Sequence, residues 1–305
     1  MTVAQYGRDW LDARRDLRPK THDLYSYLFR FFIEPHLGPL RVDGLDAPIV
    51  RRWYGEVAAG PHSQATVAKA YRLLRQLMEA AVNDRLVRAN PCTIKGASSE
   101  RSAERRVPSV AEVWKLADVI SPEYRLMVLL AAFAGLRRGE CFALRRARFD
   151  DSGPTKYLSV TASRVYLAQS ILEQPPKTAA GSRRLAVPEV VAVELALHLE
   201  RYVDVNASAL VFADRRTGET PTPIVWRRVW NKAKASAGVD YTFHDLRHVA
   251  GTLNASAGAS IRESMARMGH ASPRAALRYQ HVVDQRDAEV AQSIDRLVGR
   301  PPTAR

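Results

Sequence analysis

Four short segments of this 305-residue sequence carry more reactive side chains than packing requires. In AGLRRGE an apolar run ends at Ala134-Gly135, and Arg137 follows where a new helix begins, with Glu140 three residues on. The turn PPKTAAGSRR carries Lys177 at its tip. TFHDLRHVAGT places His244 and Arg247 at i and i+3, neighbours on one helix face. In RMGHASPRAALRYQH, His270 precedes Tyr279 by nine residues. Guanidinium forks match phosphate oxygens, imidazoles move protons near neutral pH, and a tyrosine hydroxyl becomes a nucleophile once its proton is taken. Singly, each residue has an ordinary explanation. Arg137 could pair with Glu140, Lys177 is a hairpin lysine, His244 could be a cap, and Tyr279 is one of 11 tyrosines, by default a core residue with a wet hydroxyl.

The elements that must position these residues follow from apolar periodicity. Residues 1–95 read as a compact helical unit. Tyr6, Trp10, Ala13 and Leu17 recur at helical spacing. A second helix follows Pro19 and Thr21, with Leu24, Leu28, Phe31 and Phe32 on one side, and should stop near Pro35. The longest helix spans about 63–86, with Val67, Tyr71, Leu74, Leu77, Met78 and Ala81 as its stripe, and Asn90-Pro91 marks its exit. Residues 96–109 are small, polar and basic with almost nothing to bury, which predicts an interdomain linker whose cations could cross a phosphate backbone. From 110 onward helices fit 109–120, 123–135 and 138–146. KYLSV, SRVYLA, SILEQ and SRRLAVP read as short strands around the PPKTAAG turn, and helical periodicity resumes at 188–202 and runs to about Val298. The fold class is therefore mainly α, with a small antiparallel β-sheet in the second domain. No internal repeat, heptad run or Walker-type phosphate loop is present, so ATP use is not indicated.

Composition narrows the class of partner. Lys and Arg number 46 against 32 Asp and Glu, a net charge of +14, and 38 of the 46 are Arg. Codon usage in a GC-rich genome inflates Arg, but does not explain the net excess. That excess implies a polyanionic partner, most plausibly nucleic acid. Two cysteines, Cys92 and Cys141, make neither a disulfide framework nor a zinc cluster. No apolar run approaches the roughly 18 residues of a membrane span, and the N-terminus is no signal peptide. A cytoplasmic, reducing location without membrane contact is expected.

Taken together and in order, AGLRRGE, HDLRH and GHASPRAALRYQH resemble the tyrosine recombinase family, specifically the phage-type integrases. Lys177 in the β turn and the helical N-terminal unit ending ANP support the resemblance, which extends from about residue 3 to 298. It implies that residues 1–95 are a core-binding domain, 96–109 a basic linker and 110–305 a catalytic domain, the two domains closing around DNA. It also implies a six-residue site of Arg137, Lys177, His244, Arg247, His270 and Tyr279. In that site Tyr279 is the nucleophile, His244 its base and Lys177 the acid for the leaving 5′-hydroxyl. Arg137, Arg247 and His270 would hold the phosphate. The reaction so implied joins DNA strands through a 3′-phosphotyrosyl link without metal, ATP or any other cofactor. Its partners would be double-stranded attachment or core sites and a DNA-bound homotetramer, with a directionality factor and a host DNA-bending protein as further candidates. Ala288, Ala291, Ile294 and Leu297 are spaced as a helix that could pack onto a neighbour or back onto its own domain.

Two departures and three competing readings stand beside this. Met268 occupies a position where many relatives carry Leu, a volume-conserving change. Many phage integrases carry an extra small arm-binding domain, whereas this sequence opens on the core-binding segment, which leaves two alternatives: arm sites are dispensed with, or the start is truncated. A metal-dependent nuclease would need clustered carboxylates, and Asp150, Asp151, Asp240 and Asp245 have no spacing that sets them apart from caps and turns. A relaxing topoisomerase would use the same chemistry. A DNA-binding regulator or prophage remnant would bind without cutting. His198, His248 and His281 fall outside the six-residue pattern and read as structural.

Overall fold

A computed structural model describes residues 1–100, 106–167, 170–176, 178–214 and 216–272. Lys177, Tyr279, His281 and the helix expected at 284–298 lie outside the described residues. Two compact units are present: Met1–Glu104 with Tyr166–Ser170, and Arg105–Val165 with Ile171–Arg305.

The first unit contains α1 (Val3–Ala13), α2 (Pro19–Leu28), α3 (Glu34–Leu37), α4 (Ala47–Ala59) and α5 (Gln64–Asn83). Side chains of Thr2, Asp46 and Ser63 accept from first-turn N–H groups of α1, α4 and α5. The whole expected stripe of α5 is buried. Its exit is held by Asn90, which donates to the Arg75 carbonyl (2.9 Å) and accepts from Cys92 N–H (3.0 Å). The α1 helix ends at Ala13, short of Leu17, and Ala13 is exposed.

The second helix does not stop at Pro35. Phe29–Ile33 form one π-helical turn, and Pro35 is the second residue of α3. The wide turn has already broken the i→i−4 ladder there, so the missing proline N–H leaves little unpaired. The extra residue also shifts the phase of the buried face. Leu28, Phe29, Phe32 and Ile33 are buried, whereas Leu24 and Phe31, expected beside them, are 38% and 56% exposed. The start of the expected linker is folded onto this unit as well. Ala97 joins its core, and Glu100 pairs with Arg72 and Lys69.

The second unit contains α6 (Val110–Val119), α7 (Pro122–Phe133) and α8 (Arg138–Phe142). Then come β1 (Phe149–Asp150), β2 (Tyr157–Val160), β3 (Ser163–Tyr166), β4 (Ile171–Gln174) and β5 (Arg183–Ala186). Its described residues continue through α9 (Glu189–Tyr202), α10 (Pro223–Ala237), α11 (Phe243–Ser256) and α12 (Ile261–Met268). Every residue from Leu126 to Ala132 is buried, so α7 is apolar all round and serves as the central helix, packed by α6, α9 and α11. Trp226 of α10 meets Tyr124, Phe142 and Phe243 edge to face. The antiparallel strands run in the order β1-β2-β5, and β3 and β4 form a second, two-stranded sheet. The helix expected over 138–146 is only the five residues of α8. Beyond it the backbone pairs with residues 207–211 instead, through Val211 N–H to Leu144 O and Arg146 N–H to Ala209 O, both 2.9 Å. No helix among the described residues is long and apolar enough to cross a membrane.

Candidate active site

Three chain segments of the second unit meet at this site. The first is the α7–α8 junction. Gly135 adopts φ +70° and ends α7, and Arg137 stands just before α8. The Glu140 carboxylate reaches back to accept from the Arg137 N–H (2.9 Å) and from its guanidinium Nη1 (2.7 Å). An Ala at 135 would carry a left-handed backbone, and its Cβ would lie 2.6 Å from Met268 Sδ. Gly135→Ala is therefore expected to lower stability by about 1–3 kcal/mol, read as a shifted urea midpoint at unchanged slope. An unshifted midpoint would remove the packing argument.

The second segment is the end of α12. Gly269 adopts φ +62°, and His270 N–H returns to Met265 O (3.0 Å), a glycine stop that carries the His270 ring out of the helix. The third is the first two turns of α11. Asp245 caps it by accepting from Thr242 N–H (2.7 Å), the His244 ring is exposed, and Arg247 is buried.

Arginines bind these segments together. Arg247 donates to the carbonyls of both Gly135 and Met268. Arg137 Nη2 donates to Gly269 O (3.1 Å). Arg183, a residue sequence reasoning did not single out, donates from Nε to Arg267 O (2.8 Å). Three consecutive carbonyls at the negative end of α12, 267 to 269, thus each take a guanidinium.

The charge balance is positive: the cations Arg137, Arg183 and Arg247 outnumber the carboxylates of Glu140, which pairs with Arg137 and Arg183, and Asp245, which acts on His244. Burial works to raise the Glu140 pKa, but the Arg183 and Arg137 charges outweigh it and hold it below the usual carboxylate value. His244 is lowered first by partial burial and then by the charges of His248, Arg247 and Arg137, which outweigh the opposing Asp245 carboxylate. His270 is pushed down to about 4, first by burial, then by Arg247, Arg137 and Arg183. Both imidazoles are therefore neutral at pH 7. The Nδ1 atom of His270 is buried without a hydrogen-bond partner among the described residues.

The sign of the His270 shift carries a stability consequence. The folded chain keeps this ring uncharged down to about pH 4, while an unfolded one protonates it near 6.5. The unfolded state then binds more protons between those values, so stability rises with pH across that window. His270→Gln is expected to flatten the rise when urea midpoints are compared at pH 4.5 and 7. Equal slopes in the two proteins would show that His270 is not its source.

The structure thus brings together Arg137, His244, Arg247 and His270, and adds Arg183 and His248. Lys177 and Tyr279 lie outside the described residues. His198 is remote in role, buried with its Nε2 2.9 Å from Val211 O. The carboxylates weighed for a metal serve local purposes: Asp150 accepts from Ser152 and pairs with Arg184, and Asp240 pairs with Lys234. Arg106, one of the expected tether cations, is held by Glu112 and the Tyr241 hydroxyl. The arrangement sets an excess of cationic side chains beside neutral imidazoles, which is the electrostatics that phosphoryl transfer requires.

The phage integrase family model matches residues 109–286 of this chain. An integrase of Mycobacterium phage FRAT1 is 35% identical over 308 residues, covering 99% of this chain and 90% of its own length. The Tn1549 transposon integrase, solved in complex with a circular intermediate DNA, matches with a TM-score of 0.78 at 20% identity, over 92% of this chain and 94% of that one. A lambda integrase tetramer bound to a Holliday junction matches with a TM-score of 0.69 at 17% identity, over 92% of this chain and 77% of that one. At such identities the structural likeness is one of fold.

Proposed function

The chain belongs to the phage integrase family, and on that premise we propose that it is a site-specific recombinase that cuts and rejoins DNA through a 3′-phosphotyrosyl intermediate. The observation that carries this reading is the excess of guanidinium charge around two neutral histidines at the junction of α8, α11 and α12.

In the proposed reaction the Tyr279 oxygen attacks a backbone phosphorus, and the bond to the 5′-oxygen breaks. An ordinary tyrosine has a pKa near 10, so ionising it at pH 7 would cost roughly 3 units, or about 4 kcal/mol. His244, uncharged at neutral pH, suits the removal of that proton during attack. Arg137 and Arg247 balance the charge that grows on the non-bridging oxygens, and His270 donates a further hydrogen bond. Lys177 protonates the departing 5′-oxygen. Energy stays in the tyrosyl phosphodiester, so a partner strand's 5′-hydroxyl reverses the step without ATP. Cationic side chains fill the role that Mg²⁺ plays in other phosphoryl transfers.

Residues 1–95 are assigned to core-site binding and 110–305 to catalysis. Exchange of two strand pairs requires four active sites, and we assign a homotetramer on double-stranded attachment sites, as in the junction-bound lambda integrase. Integration or excision of a prophage or mobile element is the role that fits the integrase relatives. A directionality factor and a DNA-bending protein are the candidate accessories.

The test is a nicked suicide substrate carrying the element's attachment core, incubated in EDTA and run on a denaturing gel. A slow-migrating protein–DNA adduct is expected. DNA binding without an adduct would favour a binder that has lost catalysis.

A further inference from the structure

Arg183 has no part in the six-residue site, yet its side chain is well enclosed there. Its side chain is 6% exposed and that of its partner Glu140 2%. Nη2 and Nη1 donate to the two Glu140 oxygens (2.9 and 3.3 Å), Nε to Arg267 O (2.8 Å), and Nη1 also to Gly181 O (3.1 Å). Gly269 lies flat against the same guanidinium, where an added Cβ would be 3.0 Å from Nη1. One side chain on β5 therefore touches both the carboxylate that holds Arg137 and the turn that carries His270.

A buried ion pair is a poor device for stability alone, because desolvation of the two charges offsets their attraction. Apolar residues of similar volume would hold β5 to α12 as well. What they could not do is share Glu140. The carboxylate accepts from Arg137 and Arg183 at once. With Arg183 removed, Glu140 would neutralise Arg137 one to one, and the guanidinium would lose both its orientation and its net positive field.

We propose that Arg183 is a positioning residue for strand cleavage, holding Glu140 so that Arg137 and the His270 turn stand ready for one phosphate. The inference rests on the recombinase reading. Arg183 would act through its neighbours and never touch the DNA itself.

Three variants test it. R183K keeps the charge but has one compact donor head in place of the fork, so it cannot serve Glu140 and Arg267 O together. R183M/E140M replaces the pair by apolar side chains and is expected to fold. Both should bind attachment-site DNA within about threefold of wild type, while single-turnover adduct formation falls by at least about 30-fold. In the single variant R183M, which removes the Arg183 charge and keeps Glu140, the His270 imidazole titration of the DNA-free protein, read by NMR, should move upward. Cleavage within about twofold of wild type in R183K, or loss of cleavage matched by equal loss of DNA affinity, would overturn the proposal. So would an unmoved His270 titration in R183M, even with an active wild type. If wild type itself forms no adduct, the recombinase reading falls, and the titration still reports separately on what Arg183 positions.

Discussion

Tyr279→Phe is expected to bind attachment-site DNA as tightly as wild type and to form no covalent adduct. The substitution removes one oxygen and leaves the ring, so shape and apolar contact persist. Affinity comes mainly from cations on phosphates, and a nucleophile poised for in-line attack adds little to it in the ground state. The rate behaves differently. On the proposed assignment, loss of the Tyr279 hydroxyl leaves no atom to join to phosphorus, and the fall should be on the order of 10⁶-fold, as when a nucleophile is deleted from other covalent enzymes. Adduct formation on the suicide substrate and affinity by fluorescence anisotropy measure the two quantities. An adduct from the Phe variant would move the nucleophile to another residue.

Arg247→Ala is expected to produce the second largest loss, with a different signature. In comparable anion sites, deleting one donor costs about 3–4 kcal/mol in the transition state, or roughly 10²–10³ in rate. Arg247 also donates to Gly135 O and Met268 O, so the Ala variant strands two buried carbonyls and should lose stability too. Each stranded group costs about 1–3 kcal/mol. Arg247→Lys separates the effects: it restores charge without the fork, so stability should recover only in part and cleavage should stay slow. If Arg247→Ala cleaved within tenfold of wild type at 20 °C, the residue would not be part of the site.

The helices that apolar stripes announce are present where one face meets one core, as with α5. Periodicity failed where the period itself changed. The π turn at Phe29–Ile33 inserts a residue into the repeat, and Phe31 ends up on the solvent side. It failed again after Phe142, where pairing with residues 207–211 outcompetes helix continuation. Arg137, His244, Arg247 and His270 stood out because each sits in a motif with unusual polar residues. Arg183 did not, because an arginine in SRRLAVP looks like the outer face of a hairpin. Only the fold discloses that Glu140, 43 residues earlier, is buried against it. The carbonyl anchors were invisible for a simpler reason: a backbone oxygen has no letter.

That last property bears on how this protein can drift. Because the arginines of the site grip oxygens 267 to 269 of the main chain, exchanging side chains along α12 leaves their anchorage intact. A change of length does not. One residue added or removed within α12 would swing the helix end by about 100° and carry all three oxygens away from their guanidiniums together. The helix is tolerant as text and intolerant as a ruler: insertions there should be silent in composition and ruinous in activity.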